Sequence, residues 1–165
     1  MLTFKPLSSL KPGQLFEMLA SSYRDLIDKH DAKNKEKYLE SWRQSDKNAF
    51  DNLQTIGKYI FISYLDDKHI GFFSWDPRNF PEYGIIGQNC VLPKYNGQGF
   101  GKLQIEELLK IFKEAKCKKA VVSTGDSNFF IPAQNMYKSI GFVETGRYLN
   151  KKWGINEIGY EKVLL

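Results

Sequence analysis

The sequence predicts an α/β (α+β) protein: a mixed, mostly antiparallel sheet of six to seven strands with about four helices against it. Three observations predict it. Two short runs rich in aromatic and β-branched residues, Tyr59–Leu65 and Ile70–Trp75, have Asp66, Asp67 and Lys68 between them, the pattern of a hairpin. A strand-like run ending at Pro93 passes through glycines at 97, 99 and 101 straight into a helical pattern. A short apolar strand, a further helix and two closing strands follow.

Taken in order, Met1–Lys5 reads as a first strand. Pro12 suits the first turn of a helix whose apolar stripe is Leu15, Leu19, Tyr23 and Leu26. A second helical region starts near Asp31, with Tyr38, Leu39 and Trp42 on one face, and continues through Ala49, Phe50 and Leu53 after a break near Asp46. After the hairpin and a loop over 76–81, Tyr83–Leu92 alternates: Ile85, Gly87, Asn89 and Val91 face one way, Ile86, Gln88, Cys90 and Leu92 the other. Gly84 and Gly87 mark a bulge or a close approach. Beyond the glycine loop, Ile105, Leu108, Leu109 and Phe112 keep helical spacing, and Ala120–Thr124 is a short buried strand. Strand, loop, helix and strand imply a right-handed crossover. Pro132 opens a helix carrying Ala133, Met136, Tyr137 and Ile140, and Gly141 stops it. Phe142–Leu149 and Glu157–Leu164 close the sheet.

Composition narrows the function. At 165 residues one domain is expected, and 12 Phe, 9 Tyr and 3 Trp supply a core. A net charge of +5 favours anionic partners, but the charge is spread along the chain, so a phosphate-bearing cofactor is preferred to nucleic acid. Cys90 and Cys117 have neither pairing nor metal spacing and read as buried free thiols of a reducing compartment. No signal-like segment and no run of about 18 apolar residues occurs, so a cytoplasmic protein with no membrane partner is expected. His30 and His69 lack metal-ligand spacing, and no metal is expected.

The glycine loop carries the chemistry. Glycines let a backbone approach a ligand closely, and the helix that follows offers unpaired N–H donors and a positive dipole end. Together these favour a phosphate, although a strand-to-helix turn without a ligand has the same pattern. The phosphate loop of nucleotide hydrolases is excluded, because Asn96 stands at its first glycine and Leu103 follows Lys102. The dinucleotide fingerprint is excluded because Lys102 stands at its third glycine. The run Val91-Leu92-Pro93-Lys94-Tyr95-Asn96-Gly97-Gln98-Gly99-Phe100-Gly101-Lys102 resembles the pyrophosphate loop of GNAT-type N-acetyltransferases, Arg/Gln-x-x-Gly-x-Gly/Ala, with Asn96 in place of the usual Arg or Gln. The segment Ala133–Phe142 resembles that family's Ala-x-x-x-Tyr-x-x-x-Gly-Phe signature. The resemblance is strongest from about Val91 to Phe142.

The resemblance implies one N-acetyltransferase domain over residues 1–165, with a sheet splayed in the middle. Acetyl-CoA (CoA) is the implied cosubstrate, and the acetyl group passes to a primary amine by direct attack in a ternary complex. Val91 and Leu92 are implied to meet the pantetheine arm through their backbone. Asn96, Gly97, Gln98, Gly99, Phe100, Gly101 and Lys102 are implied to hold the diphosphate, and Asn128 to be a further coenzyme contact. Tyr137 is implied as general acid for the departing thiolate. By position, Glu82 at the start of its strand and Asp126 after the Ala120–Thr124 strand are the acidic residues best placed as base, Glu82 being favoured, with ordered water as the family's other route. The implied partners are a small-molecule amine or a peptide amine, with the chain a monomer or homodimer. A non-catalytic acyl-CoA-binding sensor or regulatory module is the alternative from another class. Trp42, Tyr38, Trp75 and Phe80 are expected in core packing.

Overall fold

The computed structural model describes residues 1–165. In chain order the elements are β1 (Leu2–Pro6), α1 (Gln14–Ser22), α2 (Lys35–Asp51), β2 (Ile60–Leu65), β3 (Lys68–Asp76), β4 (Gly84–Val91), α3 (Phe100–Glu114), β5 (Lys119–Gly125), α4 (Ile131–Ser139), β6 (Val143–Asn150) and β7 (Ile155–Val163). The strands form one seven-stranded sheet in the order β1-β2-β3-β4-β5-β7-β6. β4 and β5 pair in parallel, whereas β1–β2, β2–β3, β5–β7 and β6–β7 pair antiparallel. No helix is long and apolar enough to cross a membrane. The chain falls into two compact units, residues 1–74 with 88–101 and residues 75–87 with 102–165.

In the first unit the β2–β3 hairpin turns at Asp66 and Asp67, as the polar break between two apolar runs predicts. Ile62, Ile70, Phe72 and Phe73 are buried, and Phe73 stacks on Phe61 with ring centroids 5.2 Å apart. α1 starts at Gln14 behind Gly13, two residues later than a helix opened by Pro12. It buries Leu15, Met18 and Leu19.

One expectation needs correction here. α2 runs unbroken through Asp46, which is buried. Its carboxylate accepts hydrogen bonds from the N–H groups of Gly13 (2.9 Å) and Phe16 (3.0 Å), so it caps α1 while remaining helical itself. A local reading took a helix-disfavouring residue for a break, but a tertiary partner holds it in place. In β4 Ile86 and Cys90 are buried and Gln88 is exposed, its N–H donating to the Ser74 hydroxyl at 2.9 Å.

In the second unit α3 buries Gln104, Ile105, Leu108, Leu109 and Phe112. Phe112 lies so close over Gly84 that a Cβ on that glycine would stand 2.5 Å from the ring, which accounts for the glycine. Trp75 and Phe80 pack with the same ring at 5.0 and 6.3 Å. β5 pairs with β7 from Lys119 to Gly125. Its parallel ladder with β4 is two pairs long, Gly84–Ala120 and Ile85–Val121, so Ile86 and Gly87 run on with no partner on β5. This is the opening expected in the middle of the sheet.

Candidate functional site

The glycine loop belongs to the first unit. Where β4 ends, the Leu92 N–H donates to the Ile70 carbonyl at 2.7 Å, and the Leu92 carbonyl accepts from the Tyr95 N–H at 2.9 Å. A single turn over Pro93–Tyr95 follows, closed by the Asn96 N–H on the Pro93 carbonyl at 3.1 Å. The chain then enters the left-handed region at Gly97 (φ 75°) and Gly99 (φ 84°). Side chains are disfavoured there by about 1–2 kcal/mol. Above both glycines the space is open, because a Cβ at either would meet nothing within 4 Å. Hence backbone geometry selects these glycines, and the face they present is free for a ligand.

The donors of this loop have nothing to bind in the chain. The N–H groups of Gly97, Gln98 and Gly99 donate to no group of the protein. Those of Phe100 and Gly101 are in the first helical turn, where no intrahelical acceptor exists. Asn89 braces the helix start from β4, its side-chain amide donating to the Gly101 carbonyl at 3.3 Å. Gln98 ties back to the Lys94 carbonyl at 3.3 Å. Exposed Lys94 and Lys102 add positive charge on either side. Asn96 is exposed, with its side chain bound to nothing in the chain. Consecutive free amides, a helix dipole and two ammonium groups fit the diphosphate of a coenzyme.

Tyr137 belongs to the second unit, on α4. It is 4 % exposed. Phe142 meets its ring edge-on at 5.4 Å, and Tyr160 of β7 stacks with it at 6.0 Å and 30°. The backbone after α4 fastens this arrangement, with the Phe142 N–H on the Tyr137 carbonyl at 3.1 Å. Burial pushes the phenol well above its ordinary value of 10.0, so it stays protonated at any ordinary pH. Its hydroxyl bonds to no group of the chain and, unlike that of Tyr160, is not sealed from solvent. A neutral donor held ready by packing is what such a site can offer chemically.

The remaining residues singled out from the sequence fall elsewhere. Glu82 is exposed, and both its oxygens take the Lys118 ammonium, at 2.7 and 2.9 Å. Asn128 is exposed at the start of a short turn before α4, and its side chain makes no hydrogen bond. Tyr38 and Trp42 are buried and stack at 5.5 Å, in the core as expected. Sequence reasoning missed Gln134, whose side chain donates to the Gly125 carbonyl at 2.9 Å and ties α4 to the end of β5. It missed Asn89 and Tyr160 as well. Only the alternation of their strands marked them, and alternation does not distinguish a brace from an ordinary core or surface position.

Over residues 15–142 the chain matches the acetyltransferase (GNAT) family. The chain belongs to the GNAT family. Acetyl transfer is the activity this membership assigns. No curated protein matches the chain in sequence. Among solved structures it is similar to a putative GNAT-family acetyltransferase of Desulfovibrio desulfuricans, with a TM-score of 0.73 and 12 % identity over 100 % of both chains. The ribosomal-protein-S18-alanine N-acetyltransferase of Escherichia coli gives 0.71 and 16 % over 99 % of this chain and 94 % of that one. A putative streptothricin acetyltransferase of Bacillus anthracis, in complex with acetyl coenzyme A, gives 0.55 and 25 % over 63 % and 61 %. The GNAT fold thus covers the whole of this chain, glycine loop and tyrosine helix included.

Proposed function

We propose that this GNAT protein is a cytoplasmic N-acetyltransferase that moves the acetyl group of acetyl-CoA to a primary amine by direct attack in a ternary complex. The observation that carries the reading is the row of unpartnered amides at 97–99 under open space, leading into the first turn of α3. Those groups would hold the coenzyme diphosphate. In the same reading the pantetheine arm runs along the end of β4. The Leu92 N–H is already given to Ile70, so the main-chain contact there is assigned to Val91. The buried free thiols Cys90 and Cys117 fit a reducing compartment.

Transfer needs three things: a neutral amine, a stabilised oxyanion and a proton for the leaving sulfur. The amine nitrogen attacks the thioester carbon, the C–S bond breaks, and Tyr137 gives its proton to the sulfur. Glu82 would have to leave Lys118 before serving as base, since a nearby ammonium lowers a carboxylate's proton affinity. The amine's proton is therefore assigned to ordered water. The E. coli relative acts, by its name, on an alanine of a ribosomal protein, which supports including peptide amines among the acceptors.

The test has two arms. Calorimetric titration with acetyl-CoA should give saturable binding, and native mass spectrometry of the purified chain should show co-purified CoA. Thiol release from acetyl-CoA is then measured against peptide and small-molecule amines. Binding without release under any amine would favour the sensor module, and no binding would remove the coenzyme reading altogether.

A further inference from the structure

Both helices of the second unit lie on one face of its strands. Tyr160 of β7 stacks on Tyr137 of α4, and its β5 partner Val122 shares that face. Ala120 does so too, as does its β4 partner Gly84, against which Phe112 of α3 packs. Glu157 stands three residues before Tyr160, so its side chain is on the opposite face, which neither helix covers. On that face one row crosses the strands from Gly125 through Glu157 to Tyr148. The Phe130 ring sits so close over Gly125 that no Cβ would fit there. The Tyr148 ring leans beside Gly159, 3.8 Å from where its Cβ would stand. Glu157 therefore lies in the row between two aromatic rings.

Its carboxylate is held in place but has no cation. The Asn150 side chain donates to it at 2.9 Å. The oxygen of the same amide accepts the N–H groups of Lys152 (3.1 Å) and Trp153 (3.3 Å), which fixes the direction in which Asn150 points. The Tyr148 hydroxyl is within reach of Glu157 and Ser123. These neighbours are neutral. The other carboxylates of β6 and β7 each have a cation, Glu144 with Arg147 at 2.7 Å and Glu161 with Lys119 at 3.0 Å. Half-buried Glu157 has no ammonium or guanidinium at ion-pair distance, in a chain of net charge +5. Nearby Lys152 places its ammonium over the Trp153 ring at 5.3 Å. A fixed carboxylate beside two rings, lacking a cation of its own, suits an ammonium from outside.

We infer that Glu157 holds a second, non-reacting ammonium of the acceptor, so that the preferred acceptor is a small alkyl diamine. The inference rests on the transfer reading proposed above. Gly125 ends β5 beside the opening of the sheet, where β5 beyond Val121 has no β4 partner. Glu157 stands one strand further on, about 5 Å away. The attacking nitrogen must be neutral, and a carboxylate next to it would keep it protonated. Glu157 therefore receives the charge at the other end of the acceptor. A few methylenes span the offset, along the apolar ring of Phe130.

The experiment compares putrescine with n-butylamine, which has the same carbon chain and one charge fewer. Thiol release from acetyl-CoA is measured with each amine for the full-length chain and for Glu157→Gln, which keeps the shape and removes the charge. Each amine is also titrated calorimetrically in the presence of CoA. The unaltered chain should favour putrescine in kcat/KM by about tenfold, the size of one charge-assisted contact. Glu157→Gln should raise KM for putrescine about tenfold and leave KM for acetyl-CoA and kcat/KM for n-butylamine within about twofold. Its unfolding temperature should hold. Equal kcat/KM for the two amines, an unchanged putrescine KM in Glu157→Gln, or a loss shared by both amines would each overturn the inference and leave transfer standing. Saturable putrescine binding that Glu157→Gln weakens, with no thiol release under any amine, keeps the diammonium site and overturns the transfer reading. Neither binding nor release overturns both.

Discussion

The glycine loop and the tyrosine helix solve opposite problems. The loop is exposed, presents main-chain groups, and has no side chain at Gly97 or Gly99. Tyr137 is enclosed by aromatic rings and presents a single side-chain hydroxyl. Fixed amide dipoles can hold a multivalent anion at the surface, because they are already oriented and no Cβ blocks the approach. For the phenol of Tyr137, burial raises the proton affinity, so the group stays protonated in the resting protein. The contrast teaches that, in the proposed function, the loop would bind through groups left unsatisfied in water, whereas the helix would act through one phenol whose ring is packed away from water.

If the division of labour holds, Tyr137→Phe should have the largest effect. Losing a general acid typically costs about 10²–10⁴-fold in rate. The dissociation constant for acetyl-CoA, by calorimetry, should stay within about twofold. A matched fall in affinity and rate would erase the contrast. Next comes Gly99→Ala in the loop. Strain of about 1–2 kcal/mol at φ 84° should weaken acetyl-CoA binding about tenfold. Gly13, with φ 96° and nothing within 4 Å of a built Cβ, provides the control: Gly13→Ala should lower thermal stability by a similar amount and leave coenzyme affinity alone.

The smallest effect on activity concerns pH. Burial pushes the Cys90 thiol from 9.0 up to about 12, and pushes Tyr137 above 10.0. Both folded values exceed the unfolded ones, so the stability these groups contribute is complete below pH 9. It declines as pH rises toward 12, because the unfolded chain ionises first. Each group contributes a slope of about 1.4 kcal/mol per pH unit inside its window. Thermal unfolding between pH 8 and 11 should therefore fall with pH, and Cys90→Ala should flatten the early part of that fall. The rate at saturating acetyl-CoA should show no loss from Tyr137 ionisation up to pH 10.

The hairpin, α3 and the two closing strands could be read directly, because each has a strong period bounded by polar or glycine residues. The glycine loop was legible for a related reason. Positive φ at Gly97 and Gly99 is a local demand of the backbone, and a local demand shows in composition. Asp46 was misread, since its partners at Gly13 and Phe16 lie about thirty positions away. Lys118 against Glu82 and Tyr160 against Tyr137 are likewise pairs that no spacing announces.

By itself, then, the sequence determined the order of strands and helices, the burial of their apolar faces and the left-handed glycines before α3. These follow from periodicity and backbone sterics, which act over a few residues. Only the tertiary structure decided which polar groups found partners. It gave Glu82 to Lys118 and Asp46 to α1, and it left the loop amides and the Tyr137 hydroxyl unclaimed. Hydrogen-bond satisfaction depends on atoms within about 3 Å in space, whatever their separation along the chain.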